Sequence, residues 1–245
     1  MIRSIIAVIF VLLFFVFSLP ILLVFKLLYK RCPEKIDAYS LSIVQWALGM
    51  VVKIAGTNVI VYGEEHVPTD IPVLYTGNHG SIFDILITYP RVPRLTGYIS
   101  KMSVKKVPVL NLWMNRVHCL FLDRDDIKQG LKIILEAIEK VKNGISIFVF
   151  PEGTRSRIPG NILEFKEGSF KIASKTGCPI VPVTIVNSQE IFEAHMPFIK
   201  KTTVVVEYGA PIYIEALDKE DQKHIGAYVQ NIISETYQKN KAAHF

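Results

Sequence analysis

"PVLYTGNHGSIFDILIT", residues 72–88, joins an apolar run, a glycine, a polar turn and a second apolar run within one short stretch. The first part, 72–77, reads as a strand ending at Gly77, and a helix is expected to start near Ser81. Outward from this junction the alternation continues. VIVYG (59–63), LTGYIS (95–100), HCLFLD (118–123), ISIFVF (145–150), PIVPVTIV (179–186) and TVVVEYG (203–209) read as further strands. Between them, residues 126–143 carry Ile127, Leu131, Ile134, Leu135, Ile138 and Val141 at helical spacing, with Gly144 as the stop. Residues 219–239 are amphipathic too, with Ile225, Val229, Ile232 and Ile233 on one side. Strands alternating with helices predict an α/β fold with a mostly parallel central sheet covered by helices on both faces.

Ahead of this pattern the chain changes character. No charge occurs from Ser4 to Phe25, and about 20 apolar helical residues suffice to cross a hydrocarbon core. A cleavable signal peptide has a shorter apolar stretch and ends in small residues, whereas Lys26, Leu27, Leu28, Tyr29, Lys30 and Arg31 follow here. Pro20 lacks a backbone donor and is expected to kink or end the first helix. Residues 36–55 are apolar again but include Gln45 and Lys53, which suits an amphipathic helix. Two arrangements stay open: a single crossing with its basic end in the cytoplasm, and a helical hairpin lodged in one leaflet. The expected organisation is N-terminal hydrophobic membrane-anchoring helices over 1–55 and one α/β domain over 56–245, membrane-associated at the cytoplasmic face of the cell membrane.

Composition supports this division. Half of the 245 residues are hydrophobic, enough to bury a sizeable core, while the net charge of +6 favours an anionic partner. Beside an apolar terminus, that partner is expected to be a phospholipid surface or a phosphorylated substrate and no nucleic acid. Cys32, Cys119 and Cys178 are odd in number and lack paired spacing, so neither a disulfide framework nor a zinc cluster is suggested. A reducing compartment fits best.

In open α/β sheets, ligands bind where strands end and helices begin. At the opening junction, His79 precedes Asp84 by five positions. On one helix the two would lie about 140° apart. With His79 still in the loop and Asp84 in the first turn they can converge, and an aspartate near a helix N-terminus is favoured as the anion that orients an imidazole. The same spacing recurs in His118 and Asp123, but CLFL between them reads as strand, on which residues five apart face opposite sides. His118 is therefore expected to be structural, and Cys119 a core residue. Two further junctions carry cations. In FVFPEGTRSR (148–157), Gly153 permits a tight turn and Arg155 can fork two donors onto a phosphate. Arg124 follows strand 118–123, and Lys101 follows strand 95–100.

Taken together these residues resemble the glycerolipid acyltransferases typified by lysophosphatidic acid acyltransferase. NHGSIFD (78–84) is similar to the family's NHxxxxD block, FLDR (121–124) to its second, FPEGTRS (150–156) to its third and IVPVTI (180–185) to its fourth. Lys101 and Pro108 match the lysine and proline that accompany the second block. The chain departs from the common pattern at Asn111 and His118, where many members have glycine. The resemblance implies that His79 is the general base on the sn-2 hydroxyl of 1-acyl-glycerol-3-phosphate, with Asp84 orienting it and no covalent intermediate. It further implies that Lys101, Arg124 and Arg155 hold the phosphate, and that Glu152, Gly153 and Thr154 shape the acceptor site. The co-substrate would be an acyl-CoA or an acylated acyl carrier protein, with no cofactor and no metal.

Other readings stay open. Acceptors such as lysophosphatidylethanolamine or a lyso-ornithine lipid suit the same chemistry. A membrane-anchored serine hydrolase would use Ser81 or Ser156, although the chain has no GxSxG elbow. A noncatalytic lipid-binding protein would use the cations alone.

Overall fold

The computed structural model describes residues 1–123 and 126–245; Arg124, Asp125 and the side chain of Ile127 lie outside the described residues. Two helices, α1 (Ile2–Leu28) and α2 (Pro33–Ala55), precede β1 (Asn58–Tyr62), β2 (Leu74–Gly77), α3 (Phe83–Thr88), β3 (Thr96–Lys101), α4 (Leu110–Arg116) and β4 (Leu120–Leu122). They are followed by α5 (Ile127–Lys142), β5 (Ser146–Val149), α6 (Lys171–Thr176), β6 (Ile180–Val186), β7 (Thr203–Tyr208), α7 (Lys219–Lys223) and α8 (Ile225–His244).

The seven strands form one sheet in the order β1-β7-β6-β2-β5-β3-β4. All neighbours are parallel except β6 and β7. The chain leaves β2 toward β3 and β4, returns to insert β5, then crosses to place β6 on the other side. Strand order therefore reverses around β2, and the C-terminal ends of β6, β2 and β5 lie side by side. Such a switch point is where open α/β sheets form their ligand crevice.

Alternate residues of these strands face opposite ways, as the pleat requires. Tyr75, Phe148, Val181 and Val183 enter one core with Val51 and Ala55 of α2 and Phe83 and Ile87 of α3. Leu74, Ile147, Val149 and Ile180 enter the other with Ile133 and Ala137 of α5 and Val229 and Ile233 of α8. Both faces of the sheet are thus covered, as the sequence pattern predicts.

The N-terminal pair is long and apolar enough to cross a membrane. However, α1 is tied to the α/β domain at widely separated points along its length. Near its start, Ser4 Oγ accepts the backbone N–H of Ile199 at 2.8 Å; further along, Ser18 Oγ accepts the Trp113 indole N–H at 2.9 Å, and Phe25 packs edge-on to the same indole. Ala7, Ser18, Leu22 and Phe25 form its buried stripe, while Leu12, Val16, Phe17 and Leu23 are more than half exposed. Between α1 and α4 lies a cleft of about 430 Å³ walled by Leu19, Leu22 and Leu23, with Lys26 and Arg116 among its lining.

Several expectations need correction. Helix α1 runs through Pro20 without ending, because one missing rung leaves the others in place and proline is tolerated in apolar helices. His118 lies ahead of the short edge strand β4 and not on it, with φ of 60°. Its Nε2 is 3.2 Å from Asp37 Oδ2 of α2, so the side chain links the N-terminal hairpin to the sheet. Helix α4 has no counterpart in the sequence pattern. The C-terminal amphipathic segment divides at His224 into α7 and α8.

Candidate active site

Asn78 extends β2 past its last strand residue. Its side-chain amide donates to Ile185 O and accepts from Ile185 N, both at 2.8 Å, so it pairs with β6 as a strand residue would. Buried in this way, it fixes the backbone from which His79 projects.

The loop then turns into α3. Ser81 Oγ accepts the Phe83 N–H at 3.0 Å, and the helix proper begins at Phe83, two residues beyond the expected start. His79 remains outside the helix and Asp84 enters its first turn, which brings His79 Nδ1 to 2.9 Å from Asp84 Oδ2. The same oxygen accepts the backbone N–H groups of Gly80 and Ser81, each at 2.8 Å. The other carboxylate oxygen, Oδ1, accepts the hydroxyl of Ser188. Asp84 is fully buried. With four donors aimed at it, the carboxylate acts as acceptor on every side, so Nδ1 is the ring nitrogen that donates in this contact.

The loop after β5 supplies the next wall. Phe150 stacks on the imidazole with centroids 4.1 Å apart and planes within 15°. Glu152 is 4% exposed, and its two oxygens accept backbone N–H groups, that of His79 on Oε1 and that of Leu163 on Oε2. Burial pushes its carboxyl up to about 7, against the opposing effect of those two donors. Gly153 has φ of 71°, and a Cβ there would lie 3.0 Å from Lys166 Nζ. Both features favour glycine at this turn.

A third segment, after β6, clamps the first two. Besides the Ser188 bond to Asp84, Gln189 Nε2 donates to Ser156 O at 2.8 Å. Glu193 accepts from Ser81 Oγ, from the Ile82 N–H and from Arg155. Gly80 is needed beside this clamp, since a Cβ on it would sit 2.6 Å from Gln189 Nε2.

A buried carboxylate orienting a histidine at the switch point of a parallel sheet is the geometry on which comparison with known proteins bears. The acyltransferase family model matches residues 58–186, more than half of the chain and all of the site-bearing strands β2 to β6. This chain belongs to the acyltransferase family. Among its relatives is a 1-acyl-sn-glycerol-3-phosphate acyltransferase from Borreliella burgdorferi, 30% identical over 180 residues, covering 74% of this acyltransferase and 72% of the relative. An enzyme of the same name from Saccharomyces cerevisiae is 31% identical over 179 residues, covering 72% and 58%. The crystal structure of the 1-acyl-sn-glycerophosphate (LPA) acyltransferase PlsC from Thermotoga maritima superposes with a TM-score of 0.82 at 26% identity, over 98% of this chain and 97% of that one.

In this acyltransferase Lys101, Thr154 and Arg155, the remaining described residues predicted from sequence, lie at or beyond the C-terminal ends of β3 and β5. Lys101 ends β3 and is exposed, on the far side of β5 from β2. Thr154 and Arg155 are exposed on the loop after β5, where Arg155 Nη1 lies 2.8 Å from Glu193 Oε1. Arg124 lies outside the described residues. Neither serine of the hydrolase reading presents its hydroxyl to the imidazole: Ser81 donates to Glu193, and Ser156 donates to Ile158 O at 3.1 Å. Cys119 is buried, which pushes its thiol up to about 11. Asn78, Ser188, Gln189 and Glu193 were not singled out from sequence. The position of 187–193 directly after the fourth block was the one available signal.

Proposed function

We propose that this protein acylates the sn-2 hydroxyl of 1-acyl-glycerol-3-phosphate from an acyl thioester, giving phosphatidic acid. The observation that carries this reading is the four-donor cradle around Asp84, which leaves His79 Nε2 as a base with a fixed tautomer. The names of the relatives supply the acceptor class. In the proposed step Nε2 removes the hydroxyl proton as the oxygen attacks the thioester carbonyl. The C–S bond then breaks and the proton passes to the leaving thiolate. Such proton transfer contributes about 10² to 10⁴ in rate, and Asp84 stabilises the imidazolium formed between these events. Arg155, Lys101 and Arg124 would bind the phosphate. Glu152, Gly153 and Thr154 would shape the acceptor site, Glu152 by gripping the backbone of His79.

The two tethers along α1 favour the hairpin over the crossing, because a helix fastened in this way lies against the domain. Its exposed leucines and phenylalanines would then enter one leaflet, and Lys26, Lys30 and Arg31 would meet anionic headgroups at the cytoplasmic face. The cleft between α1 and α4 gives an acyl chain a route toward that leaflet.

The test is an acyl-transfer assay on purified protein, crossing lysophosphatidic acid, lysophosphatidylethanolamine and a lyso-ornithine lipid with acyl-CoA and acyl carrier protein donors. Preference for lysophosphatidic acid with loss in His79→Ala supports the reading. Release of free fatty acid without transfer would replace it with a hydrolase.

A further inference from the structure

Glu193 sits where the loops after β2, β5 and β6 meet, and its carboxylate is divided between two kinds of partner. Toward the interior, Oε2 accepts the hydroxyl of fully buried Ser81, and Oε1 accepts the Ile82 N–H at 2.8 Å. These donors belong to the start of the helix that carries Asp84 and cannot leave without disturbing it. Toward solvent, Oε1 also accepts from Arg155 Nη1 at 2.8 Å; the Glu193 side chain is 21% exposed and that of Arg155 51%. The cation is thus the more exposed member of the group. A guanidinium has five donors, and a phosphate offers more charge and more acceptor oxygens than one shared carboxylate oxygen.

We propose that Glu193 is a positioning residue for acceptor binding: it parks the Arg155 guanidinium in the free enzyme and yields it to the acceptor phosphate. The proposal rests on the reading of Arg155 as a phosphate ligand. Glu193 then does two opposed things. It holds the arginine beside the catalytic helix instead of letting it sample solvent, and its fixed negative charge competes with the phosphate for the same donors. Competition sets acceptor affinity below what Arg155 alone would give, which favours release of a phosphate-bearing product. An ion pair serving only to fasten two loops would have no such dependence on the acceptor.

The test is a double-mutant cycle with Glu193→Gln, Arg155→Ala and the double variant, read as KM for lysophosphatidic acid and kcat. Glutamine is nearly isosteric and keeps a carbonyl for the Ile82 N–H. Removing an exposed charge pair's competition should lower KM roughly two- to fivefold in E193Q, whatever the effect on kcat of turning an amide NH2 toward Ser81. In the R155A background the same substitution should leave KM where R155A put it. A KM that rises or stays constant in E193Q, or that falls equally with and without Arg155, overturns the proposal while leaving the phosphate role of Arg155 intact if R155A alone raises KM. If R155A alone leaves KM unmoved, the underlying reading of Arg155 falls and the proposal falls with it.

Discussion

Ser188 donates its hydroxyl hydrogen to Asp84 Oδ1 across more than one hundred residues of sequence and completes the set of donors around a fully buried carboxylate. The bond ties the segment after β6 to the His79–Asp84 pair. Hydrogen bonds to charged groups contribute about 1.5–3 kcal/mol, so Ser188→Ala should lower kcat roughly tenfold to a hundredfold. Steady-state kinetics at saturating donor would check this, with KM for the acceptor expected to hold.

His79→Ala should abolish transfer while lysolipid binding persists. Asp84→Asn should reduce kcat by about 10² to 10⁴, because a neutral amide carries no negative charge to stabilise the imidazolium and cannot accept from all four donors. Equilibrium binding beside turnover distinguishes the two quantities. Residual wild-type turnover in H79A would remove the base assignment.

Arg155→Ala should act chiefly on acceptor KM. An equal fall in kcat and kcat/KM would assign the guanidinium to the transition state instead.

Glu152 gives a pH signature. Its carboxyl is pushed by burial from the ordinary 4.5 up to about 7, so the folded protein holds this proton more tightly than the unfolded chain. The associated stability is fully present below about 4.5 and is lost as pH rises through 7. Glu152→Gln cannot titrate. The melting temperature of the wild type relative to E152Q should therefore decline between pH 5 and pH 8, and a flat or rising difference would contradict the assignment.

His118→Ala should leave the chemical step largely intact, since the ring is engaged by Asp37 of α2. It should cost stability by breaking the link to α2 and by placing alanine at φ of 60°, where asparagine is better accommodated. His118→Asn should accordingly melt above H118A. A loss of kcat comparable to that of H79A would bring His118 into the chemistry.

The sheet was legible because its strands are buried on both faces and announce themselves as short apolar runs. Likewise, the His79–Asp84 pair is local, five residues apart across a strand-to-helix turn, so spacing and context together reach it. The second HxxxxD copy was set aside on a premise the structure revises: His118 is not on a strand, and its ring meets Asp37. What escaped depends on distant partners. Helix α4 forms around Trp113, whose indole is placed by Ser18, Phe14 and Phe25 of α1, and nothing in its own sequence signals that. Asn78, Ser188 and Glu193 are single polar residues without a period, and each meets a partner distant in sequence: Ile185 of β6, Asp84 and the start of α3. Glu152 was chosen from its block, but its grip on the His79 backbone is a matter of three-dimensional approach.

The core that receives Val51 and Ala55 of α2 also receives Phe83 and Ile87, the apolar side of the helix that holds Asp84, with Phe10 and Val11 of α1 packed at its edge. The N-terminal helices are accordingly part of the fold that supports the His79–Asp84 pair. Cutting the chain after residue 55 would not liberate a water-soluble catalyst; it would strip the lining from the histidine's supporting helix and expose it to solvent. Docking of the N-terminal pair and assembly of the His79–Asp84 site are therefore expected to be one cooperative folding event.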